Sequence, residues 1–378
     1  MSRSALGVVC SGVAVGAAGL ALAAPGKSGA PSGPCAPAGP VAGATEGLSL
    51  PGTVARSTGD LRAAQLLVDF PDAPAGYSVS EHQSVFAPAN DWFRAVSYSR
   101  LQLTVTSTSR WLRLPRRSSQ YQSDAARLLA DAVAAADAEI DFSKIDIVYV
   151  VPVEGADYNA TFAVLNGFGV HADGVEIKYW VAWGNGFGRN STFSGGLIHE
   201  TGHLLGLPDL YQARRFRSFH FWDVMTDRWP SELFAWHRWK LGWLDPAQIA
   251  CLPRTGKRTI TLAPIEQPGG MKAVIVPRRN RALVAEVRQR IGYDKNRCDT
   301  GVLIYEVDTT PFKRGPIVIH AAHAERERPT CGPYWHAPYD RGRGEVKTFR
   351  LPEWGLRIDV VARAAGGSYR LRVSRGRT

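Results

Sequence analysis

Cysteine is scarce in this chain, with 5 in 378 residues and no two of them in a Cys-x-x-Cys pair. That absence argues against a thiolate zinc site, whose ligands come in close pairs. Methionine is scarcer still, with 3 residues, and the bland reading of one in an aromatic stretch is core packing. Beyond the N-terminus no apolar run approaches the roughly 20 residues that span a bilayer. No internal repeat announces a propeller or a solenoid. Acidic residues number 34 against 45 basic ones, for a formal charge of +11. Arginines cluster in RRFR (214–217), RGRG (341–344) and SRGR (374–377), but no RNA- or DNA-binding signature accompanies them. The charge therefore points to acidic substrates or an anionic cell envelope as partners, and not to nucleic acid.

What is present begins with a hydrophobic content of 45%, enough for a substantial core over a length that accommodates two domains. Residues 1–24 run from Met1-Ser2-Arg3 through ALGVVCSGVAVGAAGLALAA, closing on the small residues Ala21-Leu22-Ala23. One basic residue, an apolar segment and an Ala-x-Ala site read as a secretory signal peptide. The rival is an uncleaved anchor, which the Ala- and Gly-rich composition disfavours. The expectation is a secreted, extracellular protein with no stable membrane insertion once the signal is cleaved. Cys35, Cys251, Cys298 and Cys331 then remain, and an even number in an exported chain implies disulfides. The sequence does not choose a connectivity. The working expectation joins Cys298 to Cys331 and Cys35 to Cys251.

Residues 25–60 are crowded with Pro, Gly and Ala and read as a flexible segment. From Leu61 to residue 250 the pattern is mixed. LRAAQLLVDF and LQLTVTS read as strands, the latter preceded by a helix end at NDWFRAV. Ser123 opens a helix that sets Leu129, Val133 and Ile140 on one face. DIVYVVPV and GVEIKYWVAW read as further strands, and Ser194 is an N-cap candidate for the helix that follows. From residue 251 to 378 the pattern changes to short alternating runs: TITLAPI, MKAVIVP, ALVAEVRQR, GVLIYEVD, PIVIHA, VKTFRLP, LRIDVVA and SYRLRVS. Such runs separated by turn residues predict a mainly antiparallel β region. The expected class is α+β.

Residues 195–211 read GGLIHETGHLLGLPDLY. On a helix, His199 and His203 share a face and can offer imidazole nitrogens to one ion. Gly206 ends the helix one turn later, and the chain can fold back so that Asp209 completes the set. Two imidazoles and a carboxylate with a position left for water describe a catalytic zinc site. Glu200, beside the first ligand, is placed to serve as general base without binding the metal. For the oxyanion of the reaction the candidates are Tyr211, His220 and His237, which the sequence does not rank.

The string HETGHLLGLPDLY resembles the immune inhibitor A metallopeptidases, secreted zinc endopeptidases related to the metzincins. WDVMTDRWP is similar to the methionine-containing turn beneath their metal, which gives Met225 that role. SELFAWHRWKLGWL resembles the following helix, and ALVAEVRQRIGYD with TGVLIYEVD resembles paired strands of the family's β region. The resemblance runs from about Leu61 to Asp308. It implies a metzincin-like mixed α/β zinc-peptidase domain at 61–250, zinc as cofactor with calcium as a second candidate ion, and hydrolysis of peptide bonds in protein or peptide substrates. The family often carries an acidic residue after the tyrosine, where this chain has Gln212 and then ARRFR. The alternative function is a non-catalytic secreted protein of the same fold that binds anionic envelope polymers.

Overall fold

The computed structural model describes residues 31, 33–37, 45–83, 87–165, 167–184, 193–211, 221–226, 230–310, 316–323 and 336–376. The signal segment, the Gln212–Arg217 stretch, His220 and Cys331 lie outside them. The chain enters on β1 (Gly59–Asp69), an eleven-residue strand whose last seven residues are all buried. Burial on both faces is the mark of a central strand covered on each side. Around it lie β2 (Leu101–Ser107), β3 (Leu112–Arg113), β4 (Ile147–Pro152), β5 (Phe162–Val164) and, beyond a small hairpin of β6 (His171–Ala172) and β7 (Val175–Glu176), β8 (Trp180–Ala182). The order is β2-β1-β4-β8-β5, with β3 beside β1. Every pairing is parallel except β5 with β8.

Because successive side chains of a strand point to opposite faces, β1 divides its apolar residues between two cores. Ala63 and Leu67 face one layer, with Trp92 and Phe93 of a helix at Ala87–Val96 and Leu197 and Ile198 of the helix at Phe193–Leu204. Ala64, Leu66 and Val68 face another, with Leu128, Leu129, Ala132 and Val133 of a helix at Ala125–Ala136. The latter helix starts two residues after Ser123. Its cap is Asp124, whose side chain accepts from the Arg127 N–H at 3.0 Å. It stops at Ala136, so Ile140 joins the core from the loop beyond. The run GVEIKYWVAW does not form one strand. Ile177 N–H donates to Val170 in the hairpin while the Tyr179 carbonyl accepts from Val148 in the main sheet, so the segment crosses between the two. Ser194 lies inside the first turn of its helix, which begins at Phe193, and is not the N-cap.

All eight alternating runs are strands, joined by β9 (Ile249–Cys251). They are β10 (Gly256–Leu262), β11 (Ala273–Arg278), β12 (Arg281–Arg288), β13 (Gly301–Asp308), β14 (Ile317–Ile319), β15 (Thr348–Leu351), β16 (Leu356–Arg363) and β17 (Tyr369–Arg375). They build an inner sheet, β14-β13-β12-β11-β9, and an outer sheet, β10-β17-β16-β15. Only β9, parallel to β11, departs from antiparallel pairing. The inner sheet is covered on both sides. Val274, Val276, Leu283 and Ile304 meet Ile260, Ile358 and Leu371 of the outer sheet. Ile275, Val284 and Tyr305 face the same core as Leu197 and Ile198. The fold is α+β, and the boundary expected at 250/251 falls within β9, where the two regions share a core.

The reading of residues 25–60 as flexible does not hold for the described part. Cys35 and Leu48 are each 2% exposed and Glu46 is 1% exposed. Composition captured the segment's poor secondary-structure propensity but not its anchors. Cys35 is bonded to Cys251, as expected, with a Cα–Cα distance of 5.6 Å. The Ala55 N–H donates to the Leu204 carbonyl at 2.8 Å, capping the helix at Phe193–Leu204. Cys298 is also in a disulfide, and its partner is not among the described residues. Among those residues no helix is long and apolar enough to cross a membrane.

Candidate metal centre

The helix at Phe193–Leu204 ends on a glycine for a reason local to the chain. Gly206 adopts φ +95°, a left-handed conformation that other residues resist. Leu207 N–H donates back to the Gly202 carbonyl and Gly206 N–H to the His203 carbonyl, each at 2.9 Å, the Schellman termination. The turn delivers the Leu207 carbonyl to His203, whose Nδ1 lies 2.8 Å from it. It also reverses the chain, so that Asp209 returns to the helix face it has just left. Asp209 Oδ1 sits 3.2 Å from His199 Nε2 and 3.2 Å from His203 Nε2. The two imidazole rings stand perpendicular, their centroids 4.8 Å apart.

The ring protons can be assigned from their partners. His199 Nδ1 lies 3.0 Å from the Val224 carbonyl as His203 Nδ1 faces that of Leu207, and a carbonyl only accepts. In each neutral ring the proton is therefore on Nδ1 and the lone pair on Nε2. Both lone pairs point at the same carboxylate oxygen, which is buried and accepts no hydrogen bond. With both rings neutral, three electron-rich atoms converge with no proton between them, an arrangement that repels itself unless a cation sits at the centre. Bonds of about 2.0 Å to a tetrahedral ion place neighbouring donor atoms about 3.3 Å apart, close to the two distances seen. These three residues are also the one group of metal-ligating side chains among the described residues. When His203 carries a second proton, burial opposes the charge but attraction to Asp209 outweighs it and raises its pKa. Burial likewise pushes Asp209 upward, and the two imidazoles overcome this, holding its carboxyl well below the usual range.

Beneath the helix, Val224–Thr226 form a short turn with Met225 fully buried. A Cβ on Gly202 would fall 2.6 Å from the Met225 sulfur. A glycine inside a helix costs about 1 kcal/mol relative to alanine, and here it opens the space that lets the turn pass under the two histidines. Leu210 N–H donates to the Met225 carbonyl at 3.0 Å, so the turn that fixes His199 through Val224 also positions the segment carrying Asp209. The far side of the helix is held to β4, where the Tyr149 and Thr201 hydroxyls meet at 2.8 Å. Thr201, Tyr149 and Gly202 were not singled out from sequence. The interior glycine was the available signal.

Glu200 is half-buried on the same helix, adjacent to His199. Tyr211 is 42% exposed and stacks on His199 with a centroid distance of 6.3 Å. His220 lies outside the described residues. His237 belongs elsewhere, which corrects its candidacy for the reaction. It is fully buried, with Nδ1 2.8 Å from Asp223 Oδ2 and Nε2 3.0 Å from Glu46 Oε1. Burial disfavours its charge, but two flanking carboxylates prevail and raise its pKa to about 10. The imidazolium thus ties the N-terminal segment to Asp223, which in turn accepts from the Met225 N–H at 2.8 Å. The inner sheet reaches the same turn. Arg288, paired with Glu286 and Asp294 at 2.6 Å each, donates to the Trp222 carbonyl. No protein-family model and no curated protein matches this chain.

Proposed function

We propose that the chain is a secreted zinc-dependent endopeptidase of the immune inhibitor A type, with a metzincin-like catalytic region. The observation that carries this reading is the convergence of His199 Nε2, His203 Nε2 and Asp209 Oδ1, with each Nδ1 turned onto a backbone carbonyl. The donor set suits zinc: two imidazoles and one carboxylate, with a coordination position left over. Bound there, the ion would supply Lewis acidity and lower the pKa of a neighbouring water. Calcium, a hard ion that takes six to eight oxygen ligands, does not suit imidazole donors, so it has no role at this centre.

The chain's own residues do the rest. Glu200 removes a proton from the attacking water and returns it to the departing amine nitrogen. Val224 holds the His199 ring through its carbonyl, and Met225 packs beneath Gly202 of the same helix. Tyr211 is the described oxyanion candidate that lies at the cluster, its phenol carried on the ring stacked against His199. The antiparallel strand β5 ends the sheet on the side where the metal helix packs, and its backbone is offered to an extended protein substrate. The disulfide between Cys35 and Cys251 suits an exported protein. The discriminating variant is Glu200→Gln, which keeps size and hydrogen-bonding shape but cannot take a proton. Casein cleavage should fall by about 10²–10⁴ with zinc retained. Near-normal turnover, or loss of the metal, would reassign the base.

A further inference from the structure

Charge is divided unequally along the chain. Residues 251–378 hold 25 of the 45 Lys and Arg but only 12 of the 34 Asp and Glu, a net of +13, which leaves −2 for residues 1–250. Much of the excess gathers on one surface. In the outer sheet the alternation that buries Ile260, Leu371, Ile358 and Phe349 turns the intervening side chains to solvent. Lys257 of β10, Arg370 and Arg372 of β17, Arg357 of β16 and Arg350 of β15 are all exposed there. Asp359 is the one acid on this face, and it is engaged by Arg357 at 2.8 Å and by the Thr348 hydroxyl. Among the described residues, Lys257, Arg350, Arg370 and Arg372 enter no ion pair.

The arrangement does not serve the fold. Arg350 and Arg357 are register partners on adjacent strands, and like charges directly opposite are destabilising. At the sheet's edge the cationic surface continues into a cavity of about 220 Å³ lined by Arg254, Lys257, Arg258 and Arg375 and by no acid. Arg375 braces its wall by donating to the Leu252 and Pro253 carbonyls at 3.0 Å. The face also lacks a platform for bases. Among the described residues, the exposed large apolar ones are Phe168, Tyr211, Ile291 and Val318, none of them in the outer sheet, whereas single-stranded nucleic acid binding relies on aromatic stacking.

We propose that the outer face of this sheet docks a linear phosphate-bearing polymer without bases, recognised through the charge and the oxygens of its phosphates. Arginine dominates the face, and its planar guanidinium matches phosphate oxygens bidentately. The inner sheet stands between this face and the metal helix, so a docked polymer leaves the centre open. Binding here would tether the protein to a polyanionic surface.

The test uses the full-length chain and inorganic polyphosphate, with affinity followed by fluorescence anisotropy across a salt series. Polyphosphate should bind, and log affinity should fall linearly with log salt. Arg350→Gln/Arg370→Gln/Arg372→Gln should weaken binding by about tenfold or more and flatten the salt slope by about 2 units. The corresponding triple Lys variant should restore most of the affinity. Arg110→Gln/Arg127→Gln, in the other region, should change nothing, and thermal melts report whether each variant is folded. Absence of binding near physiological salt, or unchanged affinity in the triple Gln variant, would overturn the proposal. So would tighter binding of single-stranded DNA of matched charge.

Discussion

At the surface of the outer sheet, Arg350 faces Arg357 with one carboxylate nearby. In the interior, His237 is enclosed between Glu46 and Asp223, and Arg288 between Glu286 and Asp294. The two regions use charge for opposite ends. Buried charges must be paired, since an isolated ion in the interior costs several kcal/mol, and here each pair links separate segments to the turn beneath the metal helix. Glu46 comes from the N-terminal segment, Asp223 from the turn, and Glu286 and Arg288 from the inner sheet. Apart from Arg357, which engages Asp359, the basic side chains of this surface are unpaired, contribute nothing to packing and are free to meet a partner. One set specifies the fold, and the other is supported by it.

The contrast can be broken from its costly side first. His237→Ala should leave Glu46 and Asp223 buried without a counter-charge and lower stability by about 3–5 kcal/mol in chemical denaturation. A destabilisation below about 1 kcal/mol would mean that the trio is not the clasp described here. The same clasp should respond to pH. Its pKa is raised from about 6.5 when unfolded to about 10 when folded. The stabilisation from His237 is therefore complete below the unfolded value and lost as pH rises through about 10. Denaturation midpoints measured across pH 6–10 should decline toward the alkaline end, and His237→Ala should remove that part of the decline.

Gly206→Ala is the intermediate case. It forces a side chain into φ +95° and places a Cβ 3.0 Å from Leu50 and 3.3 Å from Val54. A loss of about 1–3 kcal/mol is expected, together with weaker metal retention, because Leu207 and Asp209 both depend on that turn. A melt and a zinc assay on the same preparation would check both. The smallest effect belongs to the surface. Arg350→Thr relieves a like-charge pair and should leave stability unchanged or raise it by about 0.2–1 kcal/mol, without altering casein cleavage. A clear loss would mean that Arg350 has a structural role and that the two kinds of charge are less distinct than they appear in register.

The difference also explains what could be read beforehand. His199, Glu200, His203, Gly206 and Asp209 lie within eleven residues, and a helix followed by a reversal is enough to bring the ligands together. The outer strands announced themselves by alternation, because that sheet sends every second side chain into a core, whereas the inner strands, buried on both faces, showed as short apolar runs. His237 could not be placed that way. Its partners are 191 and 14 residues distant, and nothing local distinguishes an imidazolium clasp from a reacting group. Glu46 was hidden in a Pro- and Gly-rich stretch whose order comes from tertiary contacts alone. The capping residue at Asp124 and the crossing at Ile177–Tyr179 were missed because boundaries depend on single hydrogen bonds rather than on periodicity.

Metal content tests the centre formed by His199, His203 and Asp209 most directly. The purified wild-type chain, analysed for metals beside His203→Ala, should carry one zinc, held by His199, His203 and Asp209. The variant should carry none while keeping a cooperative melt, because its ring meets the Leu207 carbonyl and the other two ligands and is not part of the buried clasp. A wild-type chain that neither contains zinc nor takes it up on titration would contradict the account, as would full zinc retention in the folded variant.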